Sequence, residues 1–138
     1  ILLSHINSLS MIGNAAIYNG EKILYSGMNL LRLCPKKMTD SKWLWYFIVQ
    51  DGFRKTLSSR AKPAINQASL TTNQIREMSI ATPPLPEQQA IAAFLDRETA
   101  KIDALSAKVT TAIERLKEYR TALISSAVTG KIDVREAV

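Results

Sequence analysis

Apolar residues recur at every seventh position through the last third of the chain: Leu95, Ile102, Val109, Leu116 and Leu123. A repeat of 3.5 residues keeps one helix face turned toward a partner helix, which is the coiled-coil condition. The second set of seam positions, Ile91, Glu98, Leu105, Ala112, Tyr119 and Ser126, is mixed. Such a seam suits packing against a different helix, or an antiparallel one, better than a parallel zipper. No proline or glycine falls within residues 87–129. That allows a helix of roughly 65 Å at 1.5 Å per residue, stopped by Thr129 and Gly130.

The first 85 residues are patterned differently. Short apolar runs at 1–3, 14–18, 23–25 and 29–33 are separated by polar residues and Asn19-Gly20, and read as strands joined by turns. Thr39 or Asp40 can cap a helix over 41–57, whose Trp43, Leu44, Phe47, Ile48 and Phe53 fall mostly on one side. The tryptophans could serve as base-stacking platforms, but at helical spacing among Leu and Phe they read as core. Residues 58–69 have no periodicity and read as a loop. Thr71 or Thr72 can cap a short helix through Arg76, and 78–81 read as a closing strand. Pro83, Pro84 and Pro86 are expected to forbid regular structure and mark a boundary. The predicted fold class is α+β: a largely antiparallel β module with short helices over 1–85, then one long coiled-coil helix and a short tail over 86–138.

Charge sharpens this division. Residues 1–85 hold ten Lys/Arg and four Asp/Glu, whereas 86–138 hold eight of each, so the whole net charge of +6 belongs to the first part. A basic module beside a neutral rod points to a polyanion, most plausibly nucleic acid; a merely solubilising surface is the alternative. Cys34 and His5 are the sole cysteine and histidine, which leaves no disulfide within the chain and no Cys/His zinc cluster, and suits a cytoplasmic setting. No apolar run reaches 18 residues, so no membrane span is expected. The opening Ile-Leu-Leu reads as the middle of a strand, as in a piece of a longer protein.

Catalytic patterns are weak. One His and one Cys 29 positions apart lack any supporting motif for a nucleophile. No Gly-rich phosphate loop occurs. The module's acids, Glu21, Asp40, Asp51 and Glu77, are too scattered to bind a nuclease's cations. No catalytic residue, metal or cofactor is expected. Binding remains. Lys22, Arg32, Lys36, Lys37, Lys42, Arg54, Lys55, Arg60, Lys62 and Arg76 could meet phosphates, which positions a protein without reading sequence. Base-edge readers are offered by two loops: 7–14, with Ser10 and Asn14, and 59–67, with Arg60, Lys62, Asn66 and Gln67. For any single one of these, a solvated or turn-capping side chain is the plainer reading.

Pro-Pro-Leu-Pro-Glu-Gln-Gln at 83–89, followed by Ile91, Phe94-Leu95-Asp96 and Lys101-Ile102-Asp103, resembles the specificity subunits of type I restriction-modification enzymes. So do Leu116-Lys117-Glu118-Tyr119-Arg120, Ala122-Leu123-Ile124-Ser125 and Ala127–Asp133. More loosely, Gly13 with Ala-Ile-Tyr, residues 26–29, the aromatic helix at 43–47 and Ala64-Ile65-Asn66-Gln67 before Leu70 resemble the later half of a target recognition domain. The resemblance implies a non-catalytic subunit that reads one half of a bipartite target in double-stranded DNA. It implies two long helices packed antiparallel as a spacer, and docking of methylation and restriction subunits. It also implies that the seam Leu95, Ile102, Leu105, Val109, Leu116 and Leu123 meets another such helix or a second copy. A full subunit has two domains and two helices; this chain has part of one domain and one helix. Two other functions stay open: a protein-interaction scaffold with an incidental basic face, and the recognition end of a single-chain restriction-methylation enzyme.

Overall fold

The computed structural model describes residues 1–135. Within them the chain divides into two compact units, Ile1–Phe94 and a second beginning at Leu95. The elements are β1 (Leu2–Ser4), β2 (Ile6–Asn7), β3 (Ala15–Ala16), β4 (Leu30–Arg32), α1 (Ser41–Val49), α2 (Asp51–Arg60), β5 (Lys62–Ala64), β6 (Gln67–Ser69), α3 (Thr72–Arg76) and α4 (Leu85–Val128). The fold is α+β.

Two small antiparallel sheets build the first unit. One has the order β3-β1-β4, pairing Leu2 with Ala16 and Arg32; the other has the order β2-β6-β5, pairing Ile6 with Ser69 and Lys62 with Ser69. His5 joins them. Its N–H donates to Asn29 O (3.1 Å) and its carbonyl accepts from Leu70 N (2.8 Å). Its ring lies with Nδ1 2.9 Å from Leu70 O and Nε2 3.0 Å from Met28 O. Leu3, Ile12, Ile48, Leu57, Ala61, Ala68 and Leu70 form the core, with Phe53, Leu44 and Ile75 packed against it. Trp43 is buried, with its ring centroid 5.8 Å from that of Phe47. The half-buried Trp45 donates Nε1–H to Ala15 O at 3.0 Å. Their placement is structural, as helical spacing predicts.

Several expectations are corrected. The helix expected over 41–57 is two helices. Asp40 caps α1 by accepting from Lys42 N and Trp43 N, but Gln50 is extended (ψ 145°) and caps α2 through Gly52 N. Gly52, a weak helix former, follows at once. Residues 58–69 are not a loop: α2 runs to Arg60 and a hairpin follows. Pro63 is accepted in it because β5 is an edge strand, where its missing N–H costs no ladder bond. Residues 23–25 and 78–81 form no strand, whereas Ile6–Asn7 does. Strands of two or three residues carry too little alternation to announce themselves, and their partners lie far away in sequence. Pro86 does not block regular structure either. It sits in the first turn of α4, where a backbone N–H has no intrahelical partner, and Pro84 O accepts from Glu87 N and Gln88 N.

Candidate nucleic-acid interface

Strand register determines what shares a neighbourhood. The β5–β6 ladder pairs Ala64 with Gln67, so the turn between the strands is only Ile65-Asn66. Asn66 carries φ 61°; that left-handed conformation is one Asn tolerates better than most residues. On the other side of β6, Asn7 pairs with Ala68. Because the strands are antiparallel, the chain leaving β2 at Ser8 heads toward the hairpin turn. The two polar segments singled out in the sequence therefore emerge at one end of one sheet, despite lying some fifty residues apart.

The Ser8 loop is held from below. Arg54 Nη2–H donates to Ser10 O (3.2 Å) and Ser58 Oγ–H to Leu9 O (3.5 Å). The loop closes at Gly13, whose φ is 82° and whose N–H donates to Ser4 O. A Cβ there would meet Leu57 Cδ1 at 2.9 Å, so glycine is required both by conformation and by space. Within the loop, Ser8 Oγ and Ser10 Oγ are 3.2 Å apart and Asn7 Oδ1 accepts from Ser8 N. On the hairpin side, Gln74 caps α3 with Thr71 and donates Nε2–H to Arg60 O at 2.8 Å, tying the end of α2 to the next helix.

The structure distributes the predicted contact residues unevenly. Ser10, Asn66 and Gln67 belong to the shared end. Lys62 lies at the opposite end of the ladder, across from Ser69, and shares the outer ribbon face with Gln67 by the two-residue alternation of strands. Arg60 ends α2. All five are exposed, and among the described residues the side chains of Arg60, Lys62, Asn66 and Gln67 make no hydrogen bond or ion pair. Asn14 is half-buried and donates Nδ2–H to Met11 Sδ (3.4 Å), a local role. Lys22 sits apart on the long exposed connection between β3 and β4, where its backbone N–H donates to Tyr18 Oη. Residues 1–20 and 52–76, which supply both loops and their supports, contain no Asp or Glu. Asp51 and Glu77 flank the second stretch, beside Arg54, Lys55 and Arg76, while Arg60 and Lys62 have no acidic residue within eight positions in sequence.

Three residues that the sequence reading named only among the basic residues or within the quoted motifs take particular places in the structure. Arg54 supports the Ser8 loop. Ile65 crowns the hairpin and is 93 % exposed. Gln88 is fully buried: its Oε1 accepts from Asp40 N (2.8 Å), and its Nε2 donates to Met38 O (3.1 Å) and Pro83 O (2.8 Å). A signal for Gln88 existed, since Leu85, Gln88, Ala92 and Leu95 are spaced as one helix face, with a polar residue in an apolar stripe.

In the second unit, Ile102, Leu105, Val109, Leu116 and Leu123 are 44 to 66 % exposed, and Leu95, at its start, is half-buried. Beside them, Glu98 pairs with Arg97 (3.0 Å) and Lys101 (2.9 Å). Past the helix end, Arg135 lies 2.6 Å from Asp133 and holds its carboxyl below the usual carboxylate range, first through the side-chain contact and then through a backbone hydrogen bond. Among the described residues no group of three or more His, Cys, Asp or Glu gathers to hold a metal, and no helix is long and apolar enough to cross a membrane.

Comparison with known proteins identifies the family. The chain is 34 % identical over 131 residues to the MjaX specificity subunit (type I restriction enzyme) of Methanocaldococcus jannaschii, covering 94 % of this chain and 30 % of that protein. It is 31 % identical over 100 residues to the EcoKI specificity subunit of Escherichia coli K12, covering 72 % and 21 %, and 25 % identical over 121 residues to the EcoBI specificity subunit of Escherichia coli, covering 86 % and 24 %. It thus spans less than a third of the length of these relatives. No solved structure matches it significantly. Residues 1–115 match the family described as Type I restriction modification DNA specificity domain. With most of its length inside that match, the chain belongs to the type I restriction-modification DNA specificity family.

Proposed function

We propose that this chain is a non-catalytic DNA reader. Its first 85 residues recognise one half of a bipartite target, and the helix that follows acts as a spacer and docking element for methylation and restriction subunits. The observation that carries the reading is the convergence of the Ser8 loop and the β5–β6 hairpin at one end of a sheet, on two stretches, 1–20 and 52–76, that themselves hold no Asp or Glu. A two-stranded ribbon fits the width of the major groove, where donors and acceptors distinguish all four base pairs. Asn66 and Gln67 are the base-edge readers, with Ser10 beside them. Arg60, Lys62 and Lys22 meet phosphates. The exposed seam from Leu95 to Leu123 packs on another specificity-type helix or on a second copy. Relatives named as specificity subunits favour a separate recognition subunit over the end of a single-chain enzyme.

The test is selection by the full chain from duplexes with a randomised centre, followed by anisotropy over a salt series. A short enriched motif is expected, with affinity falling steeply as salt rises. Arg60→Ala and Lys62→Ala together should lower the log–log salt slope by about two, roughly one per lost phosphate contact. Salt-sensitive binding without enrichment would leave only a basic surface and defeat the reading.

A further inference from the structure

Ile65 is the apolar crown of a polar hairpin, and its surroundings specify what it can touch. It occupies the first position of a two-residue turn and is 93 % exposed, while the neighbouring Ala64, Asn66 and Gln67 are exposed as well. Leu9 and Met11 of the Ser8 loop are also exposed, at 51 and 46 %, and Ile65 is by far the most exposed of the three. It stands among the uncommitted donors of Asn66 and Gln67, on a ribbon that also carries Lys62. Strand addition by a protein is disfavoured, because Pro63 removes a donor from the outer strand β5.

We infer that Ile65 is a specificity residue that packs on the C5-methyl group of a thymine, while Asn66 and Gln67 address the polar edges beside it. This rests on the DNA-reading function proposed above and gives it a chemical preference. A branched aliphatic side chain has no hydrogen-bonding atom, and the thymine methyl is the one apolar group that the four bases present in the major groove. The half-site read by this chain therefore includes an A·T pair. Position and chemistry work together: the left-handed Asn66 turns the chain at the tip, and only a tip residue reaches the groove floor ahead of the ribbon's donors.

The test uses the full chain and its own selected duplex, resynthesised with deoxyuridine in place of each motif thymine in turn. Uracil keeps every hydrogen-bonding group and lacks only the methyl. At one position the native chain should bind the uracil duplex about fourfold more weakly, the value of one buried methyl-sized group. Ile65→Ala should bind the thymine and uracil duplexes equally, and Ile65→Val should retain part of the difference. An enriched motif without an A·T pair overturns the inference. So does indifference to uracil at every position, or discrimination that survives in Ile65→Ala. Those results leave DNA reading standing, whereas selection that enriches no motif removes both.

Discussion

The two units of this molecule satisfy their apolar residues in opposite ways. In the first, Leu3, Ile12, Leu57 and Leu70 are almost wholly buried, each brought to the others across long stretches of sequence. In the second, a comparable number of large aliphatic side chains lines α4, and none beyond Ala92 is buried. The first unit holds a core within its own chain. The helix carries a seam whose burial requires another helix, and a single helix in water gains little from its own backbone hydrogen bonds. Folding information is thus internal in the first region, and under the pairing proposed above it is shared with a second helix in the other. Both tryptophans lie in the first unit, so their fluorescence reports it alone, while far-UV circular dichroism is dominated by α4.

The sharpest break in this comparison comes from the core. Leu57 is fully buried, sits near the end of α2 and packs against Gly13 beneath the Ser8 loop. Leu57→Ala removes methyl groups from a site flanked by backbone that cannot collapse inward. It should cost about 3 kcal/mol, read as a lower urea midpoint by tryptophan fluorescence. The helical signal of residues past Leu95 should unfold separately.

Next in size is the polar residue at the root of α4. The fully buried Gln88 side chain satisfies three part-buried backbone groups at once, two of them beside the cap of α1. Gln88→Leu keeps the bulk and strands Asp40 N–H and the carbonyls of Met38 and Pro83. A loss of about 2 kcal/mol is expected in the same fluorescence transition. An unchanged midpoint would mean that water replaces the amide there, and that the first turns of the helix are not fastened to the module by this side chain.

These positions also show what could be read in advance. The helix was legible because its period is local: five residues seven apart define a face with no knowledge of anything else. The Thr71 cap and the Gly130 stop were legible for the same reason. The hairpin was not, since Lys-Pro-Ala and Gln-Ala-Ser have neither alternation nor strong β formers, and they are strands by pairing with each other and, for Gln-Ala-Ser, with the distant Ile6–Asn7. The polar loops could be picked out as binding candidates by composition, but their meeting at one sheet end depends on that same distant pairing. Gln88 could be seen in a recognised motif, yet its task emerges only when Asp40, 48 residues away, is placed above it.

The smallest effect on the first unit should come from the seam. Ile102→Glu with Val109→Glu changes two exposed residues in the second unit, so the fluorescence midpoint should move by no more than about 0.5 kcal/mol. Association is where the substitution should act. A carboxylate at each seam position must be desolvated without a partner when another helix packs there, so sedimentation at tens of micromolar should shift toward monomer, with self-affinity falling more than about tenfold. The helical signal should then become more easily melted, because a rod deprived of its partner keeps only local stabilisation. A stable monomer before substitution would deny the second copy its place as partner and leave the seam to a different helix. If the fluorescence transition moved together with the helix, the internal core and the external seam would be one cooperative system, and the contrast between the two units would be one of exposure alone.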